Sequence, residues 1–263
     1  MTDNGYICKE EDLQRLRKLR PIDDDFMRVI FKNDIPLAEF VLRILTGIDD
    51  LVIVEEDTQY DIKRLVGARS ICLDVYGTDD SGTRYDLEIQ RSDAGARPKR
   101  ARYHSSAMDI ENLSVGQEFE ELPETYTIFI TENDVFGEKE AVYPIERINM
   151  AINKPFTDGE HILYVNGSYE GDSDIGKLMH DFRCTRAEDM NYNIMADKTR
   201  YYKENPKGVS EMCKIIEDMR NEAANAKAIE IAKSLIALKE NTLDTIAKVT
   251  KLPIEEIRKL AEI

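Results

Sequence analysis

The sequence predicts an α/β fold: a mixed central sheet flanked by helices, followed by a helical C-terminal extension. Three observations predict it. Short runs rich in β-branched residues cluster in the first two thirds of the chain, a helical segment starting at Pro98 separates two of them, and from about Asp172 the pattern is helical to the end. A helix between two strands usually makes a crossover that leaves them parallel, so a mixed sheet is expected. The expected division is 1–170 for the α/β core and 171–263 for the helical extension.

The elements follow in order. In PIDDDFMRVIFKND, Phe26, Val29 and Ile30 stand at helical spacing behind a run of aspartates; Pro36 interrupts, and PLAEFVLRILTG resumes the pattern until Gly47 closes it. LVIVEEDTQY, SICLDVYG and RYDLEIQ read as a meander ending in a tight hairpin at TDDSGT. From Pro98, Tyr103, Ala107, Ile110 and Leu113 fall on roughly one helix face, and YTIFIT is a compact apolar strand. AVYPIERI and HILYVNGSY read as further strands. The longest helix, with Val209, Met212, Ile216 and Met219 at helical spacing, is long enough to project and suits dimerisation. TLDTIAKVTKLPIEEIRKLAE reads as helix, turn, helix, but its second helix opens with Ile254, Glu255 and Glu256. Glutamates there repel phosphates, which favours a packing or oligomerisation hairpin over a DNA reader.

Bulk properties narrow the function classes. Of 263 residues, 33% are charged and 42% hydrophobic, the balance of a folded chain rather than a disordered one. No run approaches eighteen apolar residues and the opening MTDNGYICKEEDL lacks a signal-peptide pattern, so no membrane association and a cytoplasmic location are expected. Cys8, Cys72, Cys184 and Cys213 lie far apart, outside any C-x2-C or C-x-x-H arrangement, and read as reduced, mostly buried thiols. His104, His161 and His180 are isolated from one another and no G-x-S-x-G is present, which argues against a triad hydrolase. The net charge of -16 disfavours nonspecific nucleic-acid binding, so a DNA reading requires a local basic patch.

The hairpin carries the chemistry. Strand alternation puts Leu73 and Val75 on one side of its first arm and Asp74 on the other; in the second arm Tyr85, Leu87 and Ile89 oppose Asp86, Glu88 and Gln90. With the apolar sets facing the core, Asp74, Glu88 and Gln90 emerge together. A turn around Asp80, Ser81 and Gly82 sets Asp74 across from Glu88, with Cβ atoms about 4.5–5.5 Å apart. Two such carboxylates suit Mg²⁺, which binds through one or two acids and keeps several waters, with Mn²⁺ as an alternative. The same spacing also describes ordinary solvent-facing acids on a half-exposed ladder.

The segment LDVYGTDDSGTRYDLEIQ, with its Asp, its Gly-containing hairpin and its E-I-Q ending, resembles the signature of the PD-(D/E)XK nuclease family transposases, the recombination-promoting nuclease group. Upstream DDDFMRVIFKND, downstream PKRARYH and YTIFI, and the later VYPIERI, DGEHILYVNGS, GKLMHDF and YYKENPKGV extend the likeness over about Ile22 to Leu235. The resemblance implies a restriction-endonuclease-like core and a metal-dependent DNA endonuclease tied to transposition or recombination. It implies catalytic Asp74, Glu88 and Gln90, with Asp74 and Glu88 as metal ligands and Asp25 as a further ligand or the N-terminal cap of its helix. Gln90 departs from the Lys of the family name: glutamine orients a water by hydrogen bonding but cannot act as a base near neutral pH. The basic patch follows directly in Arg91, Arg97, Lys99, Arg100 and Arg102, with Tyr103 as a further DNA contact. The alternatives are a noncatalytic DNA-binding or protein-interaction module that keeps the fold, and an RNA-directed nuclease.

Overall fold

The computed structural model describes residues 8–62, 71–91, 96–238 and 241–261. They divide into two compact units, one within residues 17–205 and one of residues 8–16 with described residues of 206–261.

The larger unit begins with α2 (Asp24–Phe31) and α3 (Ile35–Thr46). Asp34 caps α3 by accepting the Leu37 N–H at 3.1 Å, and Gly47 ends it in the left-handed conformation at φ 74°, its N–H returning to the Arg43 carbonyl. Asp23 stands at the cap position of α2 but makes no cap bond, because its carboxylate holds Arg20 and Arg91 instead.

The sheet contains β1 (Ile53–Ile62), β2 (Ile71–Asp79), β3 (Arg84–Gln90), β4 (Thr125–Thr131), β5 (Val142–Ile145) and β8 (Glu160–Asn166), in the order β1-β2-β3-β4-β8-β5. A short ribbon of β6 (Ile148–Asn149) and β7 (Lys154–Pro155) stands apart from it. β1, β2 and β3 form the expected antiparallel meander. The turn after β2 is held by the Asp79 carboxylate, which accepts the Ser81 and Thr83 N–H groups, and by Gly82 at φ 91°. Between β3 and β4 runs α4 (Pro98–Asn112), and these two strands are parallel, as are β4 and β8. β5 closes the edge antiparallel to β8.

The rotation of α4 differs from the sequence expectation. Ile110 is 64% exposed and Tyr103 36%, whereas Ala101, His104, Ser105, Ala107 and Met108 are buried. Ala101 packs with Phe129 and Tyr164, and Ala107 and Met108 pack on Leu73. Small side chains bring the helix close to the sheet, and the polar members of the buried face bond to acids on the strands, so hydrophobic periodicity alone misorients the helix. The second correction concerns the hairpin. Its acidic side does not emerge into solvent: Asp86 and Glu88 are both 0% exposed, because α4 lies over them.

The helical run after Asp172 divides between the units. α5 (Asp174–Arg183) and α6 (Asn193–Glu204) belong with the sheet: Phe182 stacks on Phe31, its carbonyl accepts the Ile22 N–H, and Tyr192, which precedes α6, meets Phe40 edge-on at 4.9 Å between centroids.

The smaller unit joins the start of α1 (Glu10–Lys18) to α7 (Pro206–Leu238), α8 (Leu243–Thr250) and α9 (Ile254–Ala261). Asp12 is buried and pairs with Arg220 at 2.7 Å. The expectation of reduced thiols fails here. Cys8 and Cys213 are joined in a disulfide with Cα atoms 5.6 Å apart; residues 205 positions apart in sequence gave no sign of their proximity. Of the remaining cysteines, Cys72 has a side chain outside the described set and Cys184 is buried as a thiol. Ala232, Ile246, Leu252 and Ile257 form a core between the end of α7 and the α8–α9 hairpin, so the apolar faces of that hairpin are spent on packing. No helix among the described residues is long and apolar enough to cross a membrane.

Gly167 tests the packing of β4 against the segment that leaves β8. Its N–H donates to the Thr131 carbonyl at 2.8 Å, and a Cβ at this position would fall on that same oxygen. Gly167→Ala is expected to cost about 1–3 kcal/mol, the usual range for overpacking, read as a lower urea midpoint; an unchanged midpoint contradicts this packing.

A candidate metal centre beneath helix α4

The regular β2–β3 ladder runs from the turn as far as Val75 opposite Leu87. The next pair in register is Asp74 and Glu88, and here side chains accept hydrogen bonds from the backbone. The Asp74 N–H donates to Glu88 Oε1 at 3.1 Å, and the Ile89 N–H donates to Asp74 Oδ2 at 3.2 Å. The two carboxylates are thereby tied to each other's strands. This lies toward the carboxyl end of β3, the usual end for ligands in open α/β sheets.

Helix α4 completes the site with residues one turn apart. Arg100 donates to Glu88 Oε2 at 2.9 Å and to Gln90 Oε1 at 3.1 Å, while Gln90 Nε2 donates to Glu88 Oε2 at 3.3 Å. Arg100 Nε lies 3.2 Å from His104 Nε2, and His104 Nδ1 lies 3.2 Å from Asp86 Oδ2 and 3.6 Å from Glu88 Oε1. A guanidinium has only protons to offer, so His104 Nε2 accepts and Nδ1 carries the ring proton toward Asp86.

The electrostatics of this cluster are severe. Burial first, and then the neighbouring Asp86 and Asp74, push the Glu88 carboxyl up to about 9; His104 and Arg100 offset this only in part. Asp86 is driven well above the ordinary carboxylate value, by burial and then by Asp74. Asp86 Oδ1 is buried without a hydrogen-bond partner. Asp86, Glu88 and His104 each offer one atom within 4.8 Å of the others, and Asp74 adds its charge beside them. Hard oxygen donors in excess of nearby protons and cations fit a divalent ion, which reverses the sign of their mutual repulsion.

The other residues singled out in the sequence are dispersed. Asp25 is half-buried in the first turn of α2 and belongs to no such group of ligand atoms among the described residues. Arg91 is held by Asp23 at 3.1 Å and Glu132 at 3.3 Å. Arg100 turns inward, while Arg97, Lys99 and Arg102 are exposed at the start of α4, and Tyr103 lies beside them. Sequence reasoning passed over Asp86 and His104. Their signals were present: Asp86 shares the alternation of Glu88, and the i, i+4 spacing of Arg100 and His104 puts both on one helix face.

The fold and this cluster define a class, an α/β protein with a buried acidic cluster whose atoms could hold a metal. Residues 32–168, just over half of the chain, match the family described as PD-(D/E)XK nuclease family transposase, and the chain belongs to that family. No curated protein and no solved structure matches the chain significantly.

The Glu88 shift has a definite sign. Between its ordinary value near 4.5 and about 9 the folded protein keeps a proton that the unfolded chain has released, so this group's contribution to stability falls as pH rises through that window. In EDTA, Glu88→Gln is expected to melt above the wild type at pH 8 and to flatten the loss of melting temperature between pH 5 and 9. Identical pH profiles for the two proteins would mean that Glu88 does not carry this burden.

Proposed function

We propose that the chain is a metal-dependent DNA endonuclease acting in transposition or recombination, with Asp74 and Glu88 as metal ligands and Gln90 as an orienting residue. The observation that carries this reading is the interlocked pair: each carboxylate accepts a hydrogen bond from the strand of the other, so both are aimed into one place beneath α4. Mg²⁺ is the ion we assign, with Mn²⁺ as a substitute; when bound, it acidifies a water and screens charge on the scissile phosphate.

The chain's own residues have separable tasks. Asp74 and Glu88 hold the ion, with Asp86 adding negative charge and His104 fixing the Asp86 carboxyl. Gln90, bonded to both Glu88 and Arg100, is oriented to hold a water through its amide. Arg100 supplies, beside Gln90, the positive charge that the lysine of the family name would bring, and so takes over its electrostatic part. Asp25 remains a proposed outer ligand. Arg97, Lys99, Arg102 and Tyr103, with Arg91, form the DNA-contacting surface: their charge is local, which reconciles polyphosphate binding with a net charge of -16. Two copies pair through the C-terminal helices, and cutting both strands of a duplex takes two such centres. The 1–170 segment remains the proposed nuclease core, with 171–263 as its helical extension, and the cytoplasm remains the proposed location.

The test is cleavage of supercoiled and linear DNA, with RNA in parallel, in Mg²⁺, Mn²⁺ or EDTA. Metal-dependent nicking of DNA that is lost in Asp74→Ala and Glu88→Ala supports the assignment. A wild type that leaves every substrate intact makes the noncatalytic module the better reading, and cleavage confined to RNA redirects the substrate class. For the basic surface, alanine at Arg97, Lys99 and Arg102 should weaken DNA binding and reduce the log–log salt slope by about 0.9 for each phosphate that is no longer neutralised, with Mg²⁺ binding unchanged. An unaltered slope would remove these residues from the interface.

A further inference from the structure

A second group of ligand atoms lies at the end of α5, outside the acidic centre. His180, Asp181 and Cys184 each present one such atom, all within 4.8 Å of one another. His180 Nδ1 is 3.3 Å from Asp181 Oδ1 and 3.5 Å from Cys184 Sγ. Zinc–sulfur bonds of about 2.3 Å and zinc–nitrogen or zinc–oxygen bonds of about 2.0–2.1 Å at tetrahedral angles give ligand-to-ligand edges of about 3.3–3.6 Å. The two edges from His180 Nδ1, to Asp181 and to Cys184, fall in that range.

The Asn191 side chain lies against the same atoms. The Asn191 amide nitrogen faces the Lys177 carbonyl at 3.3 Å, His180 Nδ1 at 3.1 Å and Asp181 Oδ1 at 3.0 Å. One cation in place of this amide would satisfy lone pairs of His180, Asp181 and Cys184 at once. Asn191 is exposed, so its side chain has room to swing aside. Asp181 itself is fully buried and fixed: it accepts the Asn191 N–H at 2.7 Å and, through its other oxygen, the Tyr192 N–H at 2.8 Å. Hydrogen bonds of this kind orient a ligand before the ion arrives. His180 and Asn191 line an open cleft of about 430 Å³, which provides a route of entry.

We propose that His180, Asp181 and Cys184 form a binding site for a thiolate-seeking divalent ion of the zinc class. Cys184 loses its thiol proton on binding, and the fourth position is left to water. The donor set separates this centre from the one beneath α4, since sulfur and imidazole select zinc-class ions and carboxylates select magnesium. The ion ties the C-terminal end of α5 to the segment that leads into α6. H-D-x-x-C matches none of the usual zinc spacings, so the sequence pattern by itself does not point to this site.

The test is titration of the full chain with Co²⁺, read as thiolate-to-cobalt absorption in the near ultraviolet and tetrahedral bands in the visible. We expect both in the wild type, displacement by Zn²⁺ but not by Mg²⁺, and retention in Glu88→Gln. Both should vanish in Cys184→Ser and in His180→Gln. His180 is half exposed, so the latter variant should fold; Zn²⁺ should raise the melting temperature of the wild type and not of His180→Gln. Absence of a sulfur band in the wild type, its survival in Cys184→Ser, or its loss in Glu88→Gln would each overturn the assignment.

Discussion

Everything around the centre of the sheet follows from the burial of Glu88 and Asp86 next to Asp74. Carboxyl groups removed from water and set beside one another either take up protons or find cations. The protein answers with α4, which brings the Arg100 guanidinium onto Glu88 and the His104 imidazole onto Asp86. The cost of the charge cluster therefore sets the rotation of the helix. That rotation leaves Ile110 in solvent, and it requires alanines where the helix meets Phe129, Tyr164 and Leu73.

The opening of the β2–β3 ladder serves the same constraint. Beyond the last regular pair, the Asp74 and Ile89 N–H groups donate to the Glu88 and Asp74 carboxylates. The acids gain donors that soften their burial and become rigid in the process. For the proposed metal ligands that rigidity is an advantage, because little ordering is left to do on binding. The parallel neighbour β4 keeps the other edge of β3 in register, so the distortion stays local.

The two candidate centres divide the chemistry by donor type. Oxygen ligands gather on strands beneath α4, and imidazole, carboxylate and thiol gather at the end of α5. In the first, α4 supplies Arg100 and His104 from positions four apart on one face; in the second, α5 supplies His180 and Asp181 and its C-cap supplies Cys184. The smaller unit follows a different logic. Its long helix α7 has the disulfide and the Asp12–Arg220 pair near one end and the Ile246, Leu252 and Ile257 core at the other, with a stretch exposed on every side at 221–227. That stretch, NEAANAK, rests on helix propensity, which its alanines supply.

Local pattern was enough to determine the six strands of the main sheet, the helices from α2 onward, the parallel crossover and the facing of Asp74 and Glu88, but not α1 or the β6–β7 ribbon. Period and turn chemistry are properties of neighbouring residues and are readable in order along the chain. The basic run after Gln90 was legible for the same reason. Tertiary structure decided what depends on residues remote in sequence. Among these are the cover that α4 lays over Glu88, the recruitment of His104 and Asp86, and the inward turn of Arg100. The pairing of Cys8 with Cys213 and the convergence of Asn191 on His180 and Asp181 belong with them. Periodicity assumes that apolar residues mark the buried face, and α4 buries His104 and Ser105 because acids on the strands need partners. Only the assembled sheet brings those acids within reach.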